Sequence, residues 1–300
     1  MHKASIIVIG SSNTDMVIKT PHLPAPGETI LGGSFFMNAG GKGANQAVAA
    51  ARLGGSVAFI AKLGDDIFGK QSLQLFNGEG IDTSCILTDP EYPSGIALIT
   101  VDEKGENCIA VASGANAALT PYNIQQAKNN IENGGIILMQ LEIPLETVAY
   151  AAALAAEKNI PVILNPAPAC TLPGELLQLI SVITPNQKEA EMLTGIAVYD
   201  DVSAMEAALA LHEKGIDKVV ITLGAEGAFV YCNNEYRRIA APEVTAVDTT
   251  AAGDVFNGAL AVALSEGQDI FDAIAFACRA AAISVTRLGA QASAPWRREV

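Results

Sequence analysis

The sequence predicts an α/β protein: a doubly wound, mostly parallel sheet flanked by helices, with a small β-sheet lid. Three observations carry that expectation. Short apolar runs alternate with helical patterns along most of the chain, as βαβ units do. Polar residues recur just after those runs, at the strand ends where open parallel sheets bind ligands. Half of the 300 residues are hydrophobic and only 17% are charged, enough apolar side chain for a large core and too little charge for a disordered chain.

The buried strands are expected at 6–9, 57–63, 136–141, 162–164, 182–184 and 219–223, where apolar residues run without alternation. Between them, Ala44, Ala47, Val48 and Ala51 recur at helical spacing, with Gly54 as a stop. Thr120-Pro121 opens a second helix with a cap and a first-turn proline, and Pro144 starts another that runs through Lys158. Ser203-Ala204-Met205-Glu206 reads as a capping box leading a helix that Gly215 ends. Two segments break the alternation. Residues 95–100 and 107–111 flank the turn Asp102-Glu103-Lys104-Gly105 as a hairpin, and 15–19 and 29–37 flank a stretch holding Pro21, Pro24 and Pro26. Together they make a small sheet outside the main layer, either a flap over a ligand or an exposed excursion with no closing role. By length alone, one or two domains remain open.

Composition excludes several functions. With 18 basic and 32 acidic side chains the net charge is −14, which argues against a nucleic-acid partner. No run approaches the roughly 18–20 apolar residues of a membrane span, and the start Met1-His2-Lys3-Ala4-Ser5 leads into too short an apolar run for a signal peptide. Cys85, Cys108, Cys170, Cys232 and Cys278 are odd in number and form no CxxC pair, so a reducing cytoplasm is expected. His2, His22 and His212 have no zinc-ligand spacing, and there is neither a GxSxG elbow nor, after the first strand, a dinucleotide fingerprint.

Polar groups follow one strand after another: Asn13 and Asp15, Gln140 and Glu142, Asn165, Asn186, and Thr222 with Gly224. Each alone is also an ordinary turn or cap residue, and Asn186-Gln187-Lys188-Glu189 is an acceptable capping box. Gly40-Gly41-Lys42-Gly43-Ala44-Asn45 precedes a helix, where amides and the positive helix end could receive an anion or a hydroxyl, although it is not a Walker loop. The sharpest local signal is 247–259. Ala251, Ala252 and Gly253 are small enough to let backbone amides approach a phosphoryl group, and Asp254 beside them could accept the proton of an attacking hydroxyl. Alone, Asp254 could equally be a first-turn acid serving the helix dipole.

Gly10-Ser11-Ser12-Asn13-Thr14-Asp15, Pro26-Gly27-Glu28-Thr29, Gly40 to Asn45 and Asp248 to Gly258 together resemble the PfkB carbohydrate kinases in order and spacing. Residues 280–291 are similar to the members that phosphorylate ribose. The resemblance implies one sugar kinase domain over 1–300, with a lid from 15–37 and 94–112 packed over the sugar site. It implies transfer of the γ-phosphoryl of ATP, with Mg2+, to O5 of D-ribose. Another acceptor (deoxyribose, fructose or a nucleoside) and a non-catalytic sugar-binding regulator are the alternatives. Carried onto this chain, the sugar would meet Asn13, Asp15, Gly41, Lys42, Gly43, Asn45 and Glu142. ATP would lie at Asn186, Thr222, Gly224, Ala225, Glu226, Gly227 and Gly253, with its adenine near Cys278. Asp254 would be the base and the amides of Ala252 and Gly253 its anion hole, with Ala251 beside them in the catalytic segment, standing where the family more often has glycine. An activating K+ would sit at Asp248, Thr250, Ser284, Arg287, Gly289 and Ser293, mostly on backbone carbonyls. A homodimer through the lid strands is expected, since their edges invite pairing.

Overall fold

The computed structural model describes residues 5–31 and 33–300. Met1 to Ala4, with His2, and Gly32 inside the expected strand 29–37 lie outside the described residues.

The strands are β1 (Ser5–Ile9), β2 (Asn13–Lys19), β3 (Ser34–Gly40), β4 (Ser56–Gly64), β5 (Ile86–Asp89), β6 (Gly95–Val101), β7 (Asn107–Ala112), β8 (Ile136–Met139), β9 (Val162–Leu164), β10 (Val182–Ile183), β11 (Lys218–Thr222), β12 (Ala228–Cys232) and β13 (Glu235–Ile239). Nine form the main sheet, in the order β13-β12-β11-β10-β9-β8-β1-β4-β5. Neighbours from β11 to β5 are parallel, and β12 and β13 extend the edge as antiparallel strands. The chain first builds outward from β1 through β4 to β5 and later through β8 to β11, so the order reverses beside β1, the place where such sheets open a crevice.

The helices are α1 (Lys42–Arg52), α2 (Ile67–Gly78), α3 (Pro121–Gln126), α4 (Lys128–Glu132), α5 (Leu145–Glu157), α6 (Gly174–Leu177), α7 (Gln187–Thr194), α8 (Asp201–His212), α9 (Ala252–Ser265) and α10 (Ile270–Ser284). They cover both faces of the sheet. Ile6 and Val8 of β1 pack into a core shared with α1, α9 and α10, while Ile7 and Ile9 enter a second core with α5 and α8. A parallel strand buried on both faces has to be apolar at every position. The helix expected from Thr120 is split at Ala127 into α3 and α4. α8 is capped by Asp200 rather than Ser203: the Asp200 carboxylate accepts from the Ser203 amide at 2.8 Å, so Ser203 occupies the third helical position. Gly215, φ 105°, lies beyond the last helical residue, His212. At its far end α1 is clamped by Arg52, which grips Glu79 with two nitrogens, donates to the carbonyls of Gln291 and Ala294 at 2.8 and 3.1 Å, and lies over Trp296.

The second sheet runs β3-β2-β6-β7, two antiparallel pairs joined by the parallel contact of β2 with β6. β3 begins at Ser34, so 29–31 and 33 are not strand as expected. Register sorts its side chains. Asn13, Asp15 and Val17 share one face with Ala97 and Ile99, whereas Phe35, Ile18, Met37 and Leu98 share the other and are exposed. Among the described residues no helix is long and apolar enough to cross a membrane.

Candidate active site

The site is assembled where α1 and α9 begin, at the carboxyl ends of β1 and β8. Gly43 permits this: a Cβ there would stand 2.6 Å from the Gly10 carbonyl carbon and the Ser11 amide nitrogen, so only glycine lets α1 start against the turn after β1. Gly258 does the same between helices, since its Cβ would meet the Gln46 carbonyl at 2.8 Å. One turn before Gly258, α9 therefore brings Asp254 onto α1. Asn45 Nδ2 donates to Asp254 Oδ2 and Gln46 Nε2 to Asp254 Oδ1, both at 2.9 Å.

Asp254 is 6% exposed. Burial pushes its carboxyl above the usual range; Lys42 and the Asn45 and Gln46 amides pull it down, and Glu142 adds to the rise. Burial also acts to lower the Lys42 ammonium, but Asp254, Glu142, Glu189 and Asp15 outweigh it and hold it above its ordinary value. Asp15, on β2, is raised to about 6, first by burial and then by Glu142 and Asp254. Glu142 Oε2 accepts from Ser11 Oγ at 2.5 Å and from the Lys42 amide at 2.9 Å. Asn13 Oδ1 accepts from Asn116 Nδ2 at 2.8 Å. The residues expected at the sugar, Asn13, Asp15, Gly41, Lys42, Gly43, Asn45 and Glu142, thus converge from β2, the turn before α1, α1 and the segment after β8. Asn45 Oδ1 is buried without a partner among the described residues, an acceptor with its hydrogen bond still to make.

On the other side of Lys42 and Asp254 a cavity of about 210 Å3 opens, walled by Asn165, Asn186, Glu189 and Thr222 and closed by 251–253. Asn186 and Thr222 bridge the ends of β10 and β11. Ala251 takes the left-handed conformation, φ 59°, and α9 starts with no side-chain cap. The Ala252 amide turns back to the Thr249 carbonyl at 3.3 Å, while the amides of Gly253 and Asp254 find no acceptor among the described residues. The space where a Gly253 side chain would be is empty for 4 Å. Uncapped amides at a helix start beside open space form an anion cradle.

Gly224, Ala225 and Glu226 form a 3-10 turn after β11 that Gly227 ends at φ 97°. They do not line the cavity, and Glu226 pairs with Arg238. Cys278 is 3% exposed within the core and likewise outside the lining, and burial pushes its thiol up to about 11. Of the expected cation residues, Asp248 binds the Thr250 and Gly289 amides, each at 2.9 Å, and the Ser284 carbonyl accepts the Arg287 amide at 3.0 Å. Ser293 is buried one turn further on, and the Arg287 guanidinium is committed to Glu299 at 2.7 Å. Sequence reasoning missed Glu189 and Gln46. Glu189 signalled only a capping box, which it does form with Asn186, and Gln46 carried no signal beyond following Asn45.

The sequence pattern of the pfkB family carbohydrate kinases matches residues 3–297. The chain belongs to that family. It is 49% identical to the ribokinase of Haemophilus influenzae over 297 residues, covering 99% of this chain and 97% of that protein. It is 38% identical to the deoxyribokinase of Salmonella typhi, covering 97% and 95%. The structure of Arabidopsis thaliana ribokinase complexed with ribose and ATP is similar to this pfkB-family fold at a TM-score of 0.94 and 32% identity, covering 100% of this chain and 97% of that one. The expected fold class is therefore borne out, as is membership of the PfkB kinases.

Proposed function

We propose that this chain transfers the γ-phosphoryl of ATP to O5 of D-ribose, giving D-ribose 5-phosphate and ADP, with Asp254 as general base. The observation that carries the reading is the placement of a buried carboxylate, held by two amide donors, beside the uncapped start of α9. Its bound oxygens face Asn45 and Gln46, so a hydroxyl proton must arrive on a remaining lone pair. As the sugar oxygen bonds to phosphorus, that proton passes to Asp254 and the bond to the ADP oxygen breaks. The Gly253 and Asp254 amides stand where charge grows on the migrating group, and Lys42 balances four neighbouring carboxylates. The polar ring of Asn13, Asp15, Asn45 and Glu142 suits a polyhydroxylated acceptor, because a site built of fixed hydrogen-bonding groups rejects analogues lacking a hydroxyl.

The cavity beside Asn186 and Thr222 would take the triphosphate; Glu189 is the carboxylate on its wall that a hydrated Mg2+ could face, the ion supplying charge neutralisation of the phosphates. Among the described residues no three His, Cys, Asp or Glu side chains group as a metal cage, which suits a divalent ion that arrives with the nucleotide. For K+, Asp248, Thr250, Ser284, Arg287, Gly289 and Ser293 lie on two segments that Asp248 ties together through the Thr250 and Gly289 amides, and a cation held by their carbonyls would order the loop before Ala251. The small sheet is read as a lid over the sugar, from 15–37 and 94–112, that excludes water. Its exposed outer row of Phe35, Ile18, Met37 and Leu98 supports a homodimer through the lids. The odd, unpaired cysteines support a cytoplasmic location.

Deoxyribose is the second reading, favoured by the deoxyribokinase relative. ADP release measured over ribose, deoxyribose, fructose and a nucleoside, with and without K+, separates the two. We expect ribose to give the highest kcat/KM and K+ to raise it. A preference for deoxyribose would replace the acceptor, and no turnover with any of them would remove the enzyme reading.

A further inference from the structure

Beneath Asp254 lies a chain of buried amides whose direction follows from one backbone carbonyl. Thr184 O can only accept, so Asn165 Nδ2, 3.2 Å away, donates to it and Asn165 Oδ1 is turned toward Gln46. That oxygen accepts from Gln46 Nε2 at 3.1 Å, and the same nitrogen donates to Asp254 Oδ1 at 2.9 Å. Gln46 Oε1 is then left as an acceptor, and Gln140 Nε2 satisfies it at 2.6 Å. Gln46 and Gln140 are wholly buried and Asn165 is 7% exposed. Thr184 also reaches the start of α9: its hydroxyl donates to Asn257 Oδ1 at 2.6 Å, and Asn257 Nδ2 donates to the Gly253 carbonyl at 2.8 Å.

We propose that Gln46 is a positioning residue for the base: with its oxygen held by Gln140 and one amide proton given to Asn165, its other amide proton holds Asp254 as an anion and helps aim the free lone pairs at the acceptor hydroxyl. The inference rests on the reading of Asp254 as the base and adds how that base is kept ready. Packing alone does not account for the arrangement. Buried amides are costly unless fully bonded, apolar side chains of equal volume would fill the space, and Gln140 Oε1 is left with no partner among the described residues. The charged groups facing Asp254 are Lys42 of α1, Glu142 after β8, Asp15 of β2 and Glu189 of α7, and Lys42 is the one cation among them. Without the Gln46 donor, burial and Glu142 act on Asp254 less opposed, and the base ionises only at higher pH.

The test is the pH profile of kcat for Gln46→Met and Gln140→Met at saturating ribose and MgATP. We expect Gln46→Met to move the acidic limb up by about one pH unit and to lower the plateau by about tenfold. KM for ATP should stay within about twofold, because Gln46 does not line the nucleotide cavity. Gln140→Met, which does not touch Asp254, should move the limb in the same direction by less. An unmoved limb in Gln46→Met overturns the proposal, and if that variant does not fold, an unmoved limb in Gln140→Met does so. Asp254→Asn is assayed alongside. Near wild-type turnover there would sink the base itself, whereas an inactive Asp254→Asn with unmoved limbs in both glutamine variants sinks only the role assigned to Gln46.

Discussion

At the carboxyl ends of β1 and β8 the polar side chains are buried and bound to one another, while across the outer row of the small sheet apolar side chains stand in solvent. Gln46, Gln140 and Asn257 are at most 1% exposed, whereas Phe35, Met37 and Leu98 are each exposed by half or more. Burial of a polar group is tolerable only when its partners are fixed in advance, so the floor of the site is set before any ligand arrives. Exposure of apolar rows has the opposite meaning. Such a surface is completed by something else, and the proposed partner is a second lid. The floor should therefore govern chemistry and ionisation, and the small sheet should govern association.

The hardest blow to that division comes from Asp254→Asn. Turnover should fall by about 100-fold or more with KM for ribose little changed, since the amide still accepts a hydrogen bond but cannot take a proton. Steady-state kinetics that show a raised KM at unchanged kcat would move Asp254 from chemistry to binding. The next effect is on stability. Asp15 binds its proton more tightly in the folded protein, at about 6 against 3.8, so between those values the native state holds more protons than the unfolded one. Stability contributed by the protonated form is thus lost as pH rises from about 4 to 6. Asp15→Asn should remove that slope and raise stability at pH 7 by up to about 3 kcal/mol, while weakening ribose binding. Urea melts at pH 4.5 and 7 read the slope, and equal slopes in both proteins would dissociate Asp15 from the charged floor. Least costly to the molecule is Leu98→Lys, on the outer row. It should shift light scattering from dimer to monomer and leave the acidic limb of kcat in place. A dimer that persists would mean the outer row is not the contact.

Much of the main sheet is legible in the sequence because a parallel strand buried on both faces reads as an uninterrupted apolar run, and β1, β4, β8, β9, β10 and β11 all fall on such runs. β12 escapes that reading although Ala228 to Cys232 is wholly buried, since the turn of residues 223–227 after β11 is too short for the crossover helix that parallel strands require and leads instead into an antiparallel neighbour. β13, Glu-Tyr-Arg-Arg-Ile, is an exposed edge strand with no apolar signature. Ser203 mimics a cap because a serine followed by glutamate at the third position fits the pattern, yet the carboxylate three residues earlier competes better for the free amides. In the site, residues of recognisable type converge, and the supporting ones stay hidden. Adjacent residues on a helix point about 100° apart, so nothing in Asn45-Gln46 announces that both reach one carboxylate. That contact depends on how closely α9 lies on α1, which only the tertiary structure reveals. Cys278 illustrates the converse: the resemblance sets it near the adenine, while its side chain belongs to the core.

The Arg52 clamp has a consequence for how such a chain is made. The helix that presents Lys42, Asn45 and Gln46 is gripped at its other end by the carbonyls of residues 291 and 294, about 240 positions later in synthesis. A nascent polypeptide on the ribosome therefore lacks the far anchor of this helix until residues 291 to 294 have been synthesised. Premature termination anywhere before that point yields a product without this restraint.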